Sequence, residues 1–299
     1  MAPETEPRPF TITNDGLRIA ALDWGGDGQP LLLLHPNGFC AGLFDPLARR
    51  LPGRFRSIGV DLRGHGGTDE PATIEGYAYE RMAGDVLAVL DALRIESVVA
   101  LGESLGGGVA VVVDRIRPGA VERLLLCEAI AFDTGAISPR PPEGASTVPG
   151  RPGENSNFMA TIARKRRAVW PDRETMVASY GARPPMNELA PEALEAYVRW
   201  GTVERSDGQV ELACRPEAEA TVFEVSSNER GARDAWGHLA SLHATATVVA
   251  GTRSNLPADW FAAQAERAGC PFLQLDGGHF FVQEDTARAD ALVREWLSA

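Results

Sequence analysis

The sequence predicts an α/β protein: a doubly wound, mainly parallel eight-stranded sheet with an inserted helical cap. Three observations carry that reading. First, short apolar runs recur at 31–34, 57–60, 98–101, 123–127, 247–250 and 272–275. They are too short for helices and too continuously apolar for strands with a wet face, so they read as strands covered on both sides. Second, segments of helical spacing separate them, the alternation that builds a parallel sheet with helices on its faces. Third, His35, Asp61, Ser104, Glu128 and Gly251 each follow such a run. In an open parallel sheet the carboxyl ends of the strands are where ligands bind.

The elements follow in order. Residues 10–13 and 17–22 flank Asn14-Asp15-Gly16, a tight-turn signal, and read as a β-hairpin. The run 31–34 is a buried strand ending at His35, and 57–60 another ending at Asp61. Residues 77–93 have helical spacing. The run 98–101 leads into Gly102-Glu103-Ser104-Leu105-Gly106 and then into the helical stretch that contains 109–113. The strand at 123–127 ends at Glu128, and 287–297 is a closing amphipathic helix. The gap from Glu128 to the strand at 247 exceeds one crossover helix. Residues 138–155 are rich in Pro, Gly and Ser and read as a loop. Residues 159–170, 173–180 and 191–200 read as helices. Residues 132–236 are therefore expected to form a cap over a core made of 1–131 and 237–299. The basic run Arg164-Lys165-Arg166-Arg167 reads as a solvated helix face.

Composition narrows the function. The 299 residues carry 29 basic and 41 acidic side chains, a formal net charge of -12. That balance argues against a nucleic-acid partner and against anionic membrane surfaces. The four cysteines at 40, 127, 214 and 270 have no C-x-x-C spacing, so neither a zinc site nor a redox pair is expected, and no cofactor is implied. There is no apolar stretch long enough to span a bilayer and no signal-peptide pattern at the N-terminus. The expectation is a soluble cytoplasmic protein acting on a small molecule, in an oligomeric state the sequence does not give.

The segment 102–106 is a G-x-S-x-G motif in a strand–turn–helix context. Such a turn holds its serine exposed on a strained backbone, and the helix that follows aims its N-terminus at a developing oxyanion. A serine nucleophile needs a base. Of the five histidines, His35 and His65 lie in turn motifs, while His238 and His243 precede the strand at 247, away from its carboxyl end. His279, in Gly277-Gly278-His279-Phe280 after the last strand, is the candidate base.

These segments together resemble the α/β-hydrolase superfamily: His35-Pro36-Asn37-Gly38, Asp61-Leu62-Arg63-Gly64-His65-Gly66, the serine elbow, and Gly278-His279-Phe280. The resemblance spans the core and leaves the cap without a specific match. It implies oxyanion donors from the backbone N–H of Leu105 and from Asn37, with Gly38 the alternative. Pro36 stands where many members have glycine; proline removes a donor there but not the Asn37 N–H. Many members place the triad acid just after the strand corresponding to 247–250. Here that segment reads Gly251-Thr252-Arg253-Ser254-Asn255, with no carboxylate before Asp259. Certain branches carry the acid one strand earlier, where this chain has Glu128. Glu128 is the expected acid and Asp259 the alternative. Haloalkane dehalogenases, one such branch, use an aspartate where this chain has Ser104, and a serine nucleophile suits carbonyl substrates. The resemblance thus implies an esterase or lactonase working through an acyl-enzyme without metal or cofactor. A carbon–carbon bond hydrolase of diketones and a hydrolase-fold receptor are the rival readings. Phe39, Phe280 and the cap residues Trp170 and Trp200 are the candidate substrate-binding side chains.

Overall fold

The computed structural model describes residues 6–133 and 157–298. Six strands form first: β1 (Arg8–Asn14), β2 (Leu17–Asp23), β3 (Gln29–Leu34), β4 (Phe55–Val60), β5 (Val98–Glu103) and β6 (Val121–Cys127). Three short strands follow in the cap, β7 (Val169–Trp170), β8 (Thr202–Glu204) and β9 (Val210–Leu212), before β10 (Thr245–Gly251) and β11 (Phe272–Leu275) complete the main sheet. The main sheet has eight strands in the order β1-β2-β4-β3-β5-β6-β10-β11. The strands from β4 to β11 in that order run parallel; β2 is antiparallel to β4 and to β1. The β1–β2 register closes at Asn14↔Leu17, so Asp15-Gly16 is a two-residue loop with both residues at positive φ, the backbone an antiparallel hairpin favours.

The apolar runs are continuous because the sheet is covered on both faces. Leu32, Leu34, Ile58, Val60, Ala100, Leu124, Leu126, Val248 and Ala250 face one core with the helices Tyr79–Ala92, Leu105–Ile116, Ala232–Leu239 and Ala258–Ala268. Leu31, Leu33, Val99, Leu101, Leu125, Cys127 and Val249 face the other with the closing helix Thr286–Trp296. Alternation with period two sorts one run onto two faces.

The cap departs from expectation in places. The helix expected at 159–170 spans only Phe158–Ala163, and Val169–Trp170 pairs antiparallel with Val210 and Glu211. The helices Arg173–Tyr180 and Pro191–Trp200 form where expected. The β8–β9 hairpin and the helix Pro216–Ser226 have no counterpart in the sequence reading. The expected core–cap boundary at 236/237 falls within the helix Ala232–Leu239, which packs on the helix Leu105–Ile116. The loop expected at 138–155 lies outside the described residues. Among those described, no helix is long and apolar enough to cross a membrane.

The basic run is solvated at Arg164, Lys165 and Arg167, but it is not a helix face and Arg166 departs from the expectation. It follows the end of the helix Phe158–Ala163, and Arg166 turns inward. Its guanidinium pairs with Glu219 and donates to the Tyr180 and Tyr197 hydroxyls at 3.1 and 2.8 Å. A half-buried guanidinium needs a charge partner and filled donors, and these three side chains supply both.

Candidate active site

Ser104 caps the helix Leu105–Ile116 with φ +54° and ψ -116°, an uncommon conformation for a non-glycine residue. The neighbouring glycines are sterically required: a Cβ on Gly106 would collide with the Leu34 carbonyl, and one on Gly102 with the Gly106 carbonyl. The strained turn is held by Ser104 N–H donating to the Cys127 carbonyl at 2.9 Å and by the Ser104 carbonyl accepting from Ile130 N–H at 2.9 Å. The serine hydroxyl is thereby fixed above the sheet, at the mouth of the helix.

His279 lies after β11, on a turn that Gly277 makes possible with φ +153°. Gly278 N–H donates to Glu284 Oε1 at 2.7 Å and anchors that turn. His279 Nε2 stands 3.1 Å from Ser104 Oγ, and Nδ1 stands 2.5 Å from Glu128 Oε2. The three side chains come from positions 104, 128 and 279, brought together by the ends of β5 and β6 and the loop after β11.

Glu128 is completely buried. It continues β6 by donating its N–H to the Val249 carbonyl at 2.9 Å, then turns with φ +47°. Its Oε1 accepts from Gly251 N–H at 2.8 Å; its Oε2 accepts from Ser254 Oγ at 2.6 Å and faces the His279 ring. A buried carboxylate with its acceptor sites filled in this way is fixed in place and orients the imidazole. Ser254 lies in the segment after β10 where many members place the acid, and here its hydroxyl donates to Glu128. In the sequence its only visible signal is the lack of a charge. Asp259, the alternative acid, sits exposed in the first turn of the helix Ala258–Ala268 and does not meet His279.

The loop expected to carry the second oxyanion donor follows β3. Leu105 N–H belongs to the first turn of its helix, where the helix itself supplies no acceptor. In the facing loop, Gly38 N–H already donates to His65 Nε2 at 3.0 Å. The Asn37 side chain donates to the Glu219 carbonyl at 3.0 Å, and Tyr197 donates to the Gly38 carbonyl at 3.2 Å. The cap thus grips this loop twice. Beneath it, burial holds His65 neutral by lowering its pKa to about 4. Burial and the neighbouring His65 hold His35 well below its ordinary value, and it accepts Leu62 N–H at 3.0 Å through Nε2. Burial pushes Asp61 up to about 6, against the Gly67 and Ala41 N–H groups that bind it.

The four candidate substrate-binding residues are not equivalent. Phe280 packs edge-on against the His279 ring at 4.9 Å between centroids, and Phe39 packs on Phe280 at 5.0 Å. Tyr197 continues the series at 4.7 Å from Phe39 and stacks on Tyr180, which meets Trp170 at 5.4 Å. Trp170 is therefore several rings removed from His279. Trp200 lies against Gly42, where a Cβ would overlap its ring. Glu103, the residue before the nucleophile, is wholly buried, and burial with the nearby Glu128 and Glu284 charges raises its pKa well above the ordinary value. Its Oε2 accepts Gln283 Nε2 at 2.7 Å while Oε1 has no partner among the described residues.

A model of the alpha/beta hydrolase family matches residues 31–295. The chain is 42% identical over 108 residues to the AB hydrolase superfamily protein YisY of Bacillus subtilis (strain 168), covering 36% of this chain and 40% of that protein. It is 38% identical over 121 residues to a non-heme chloroperoxidase of Streptomyces lividans, covering 40% and 43% respectively. The chain thus spans about two-fifths of the length of these curated relatives. The crystal structure of E-2-(acetamidomethylene)succinate hydrolase shares the fold, with a TM-score of 0.81 at 19% identity over 98% of this chain and 100% of that one. With the family model covering most of the chain, including the parallel part of the sheet and the loops that carry Ser104 and His279, this chain belongs to the alpha/beta hydrolase family.

Proposed function

We propose that the protein is a serine hydrolase that cleaves carboxylic esters or lactones of small to medium apolar substrates through an acyl-enzyme. The observation that carries this reading is the unbroken line from Ser104 Oγ to His279 Nε2 at 3.1 Å and from Nδ1 to Glu128 at 2.5 Å. As Ser104 Oγ attacks the acyl carbon, its proton passes to His279 Nε2, and Glu128 stabilises the imidazolium. The carbonyl oxygen takes the electron pair and is held by the Leu105 and Asn37 N–H groups. The imidazolium then gives its proton to the leaving alkoxide, which in a lactone stays attached to the acyl chain. For the second half, His279 takes a proton from water, the hydroxide adds to the acyl carbon, and Ser104 leaves with the proton returned.

The Phe280–Phe39 pair beside His279 supports an apolar acyl or alcohol group over a charged one. Four unpaired cysteines support a reducing cytoplasmic setting. The test is a panel of aryl esters, alkyl esters and lactones assayed with wild type and Ser104→Ala. Turnover is expected to fall by several powers of ten in the variant with the fold unchanged, and a fluorophosphonate is expected to label wild type only. Hydrolysis by Ser104→Ala above about a tenth of wild type overturns the mechanism. A ring-fission diketone cleaved faster than any ester moves the protein to the carbon–carbon hydrolases.

A further inference from the structure

Asp114 lies at the opposite end of the nucleophile helix Leu105–Ile116 from Ser104 and is completely buried. Its Oδ1 accepts Ala244 N–H at 3.0 Å, and its Oδ2 accepts His243 N–H at 2.8 Å. The same Oδ2 lies 3.0 Å from His238 Nε2 and 3.2 Å from His243 Nδ1. One ligand atom from each of the three residues fits within 4.8 Å of the others. The proposed hydrolysis makes no use of this cluster, and the sequence does not announce it: Asp114 and His238 are separated by 124 positions in the chain.

We propose that Asp114, His238 and His243 bind a divalent transition-metal ion, zinc by the chemistry of the donor set. The ion would tie the far end of the nucleophile helix to the helix Ala232–Leu239 and to the entry of β10. Four features support it. Two imidazoles and one carboxylate are a zinc donor set, and tetrahedral bonds of about 2.0–2.1 Å place donor atoms about 3.3 Å apart, close to the two short separations here. The outer shell is complete without the ion. Both carboxylate oxygens are held by backbone N–H groups, and His238 Nδ1 faces Ser241 Oγ at 3.1 Å, a partner that fixes the ring and leaves Nε2 to ligate. The C-terminal ends of two helices converge on the cluster, since His238 stands in the last turn of Ala232–Leu239 and Asp114 in the last turn of Leu105–Ile116. Their dipoles favour a cation. Finally, His243 is half exposed while its two partners are buried, so one side stays open for entry and for a water as fourth ligand.

Asp114 lies ten positions beyond Ser104, about 15 Å along the helix axis, so the ion has no contact with the reacting atoms. The test uses the full chain, stripped with a chelator and dialysed against micromolar zinc chloride, beside His243→Ala and Ser241→Ala. Wild type is expected to retain one ion more than His243→Ala and to melt at a higher temperature with zinc than without. His243→Ala, at a half-exposed position, is expected to fold, to hydrolyse esters like wild type and to bind zinc more than about 100-fold more weakly. Ser241→Ala is expected to lose about 10–100-fold in affinity, as for an outer-shell partner. Equal zinc retention by wild type and His243→Ala, or no retention by wild type, overturns the proposal and leaves a hydrogen-bonded structural triad.

Discussion

Replacing Glu128 with glutamine changes one charge and almost no volume, and the surrounding contacts determine its effect on catalysis. The native side chain accepts from Gly251 N–H at 2.8 Å with Oε1, and from Ser254 Oγ at 2.6 Å with Oε2, which also faces His279 Nδ1 at 2.5 Å. If the glutamine keeps its oxygen on Gly251, its amide N–H points at Nδ1. The imidazole must then carry its proton on Nε2, and the lone pair that takes the Ser104 proton is gone. If the amide flips, its NH₂ meets the Gly251 N–H, and a buried donor left without an acceptor costs about 1–3 kcal/mol. Either way, no negative charge remains to stabilise the imidazolium. Opposite unit charges about 4 Å apart at an effective dielectric near 20 interact by about 4 kcal/mol, which is a factor of about 10³ in rate. The expected fall in kcat is therefore about 10²–10⁴-fold, with KM less affected. The assay is steady-state hydrolysis of an activated aryl ester by Glu128→Gln and Asp259→Asn, with circular dichroism confirming both folds. Asp259 is exposed, and its variant is expected to match wild type. Glu128→Gln within about tenfold of wild type refutes the reasoning, and a crippled Asp259→Asn would place the acid after β10 instead.

The groups around the site lead to further expected outcomes. Burial lowers His65 from 6.5 to about 4, so its neutral form contributes about 3 kcal/mol that is present above pH 6.5 and lost as the pH falls toward 4. The stability advantage of wild type over His65→Asn in urea unfolding should shrink across that window, and a constant difference contradicts the assignment. Glu103 is shifted the other way: its stabilising contribution is full below the ordinary carboxyl range and is lost as pH rises through the raised value. Melting temperatures of Glu103→Gln should therefore gain on wild type as pH increases, and parallel curves count against a buried, protonated Glu103. Tyr197→Phe removes the hydroxyl that holds the Gly38 carbonyl at 3.2 Å, so the oxyanion loop loosens; kcat should drop about tenfold, one hydrogen bond's worth, with little change in KM. A variant that changes only KM would place Tyr197 in substrate binding instead.

The core was legible because its signals are local. Leu31 to Leu34 read as a strand covered on both faces and pack into two cores, and Asp15-Gly16 supplied the hairpin chemistry itself. The elbow was legible for the same reason, since Gly102 and Gly106 are dictated by contacts within the motif and with the adjacent strand. The cap was less legible because distant partners decide its structure. Val169 and Trp170 carry helical spacing, yet they are claimed by Glu211 and Val210, some forty positions later. The three-residue strands β8 and β9 are too short to show a period. Arg166 reads in sequence as one of four solvated cations, yet Glu219, Tyr180 and Tyr197 converge on it from other helices. Charge patterning reads a helix face and has no means of reading a pocket formed by other segments.

The position proposed for the acid has a simple geometric basis. β6 and β10 are neighbours, with Cys127 opposite Val249, so their carboxyl ends lie about 4.8 Å apart. The His279 loop lies over the end of β10, where a Cβ on Gly251 would strike the carbonyls of Gly277 and Gly278. An acid carried by β6 must therefore reach across one strand spacing to the same imidazole nitrogen. Glutamate is one methylene longer than aspartate, and the left-handed turn at Glu128 redirects its side chain at the strand end. The move leaves two donors at the end of β10, Gly251 N–H and Ser254 O–H, and both bind the displaced carboxylate. A charged aspartate at 254 would face Glu128 across the same gap, and two buried like charges would destabilise each other. A hydroxyl at 254 and a glutamate at 128 therefore form one arrangement: the absence of a carboxylate after β10 and its presence after β6 are two halves of the same electrostatic requirement.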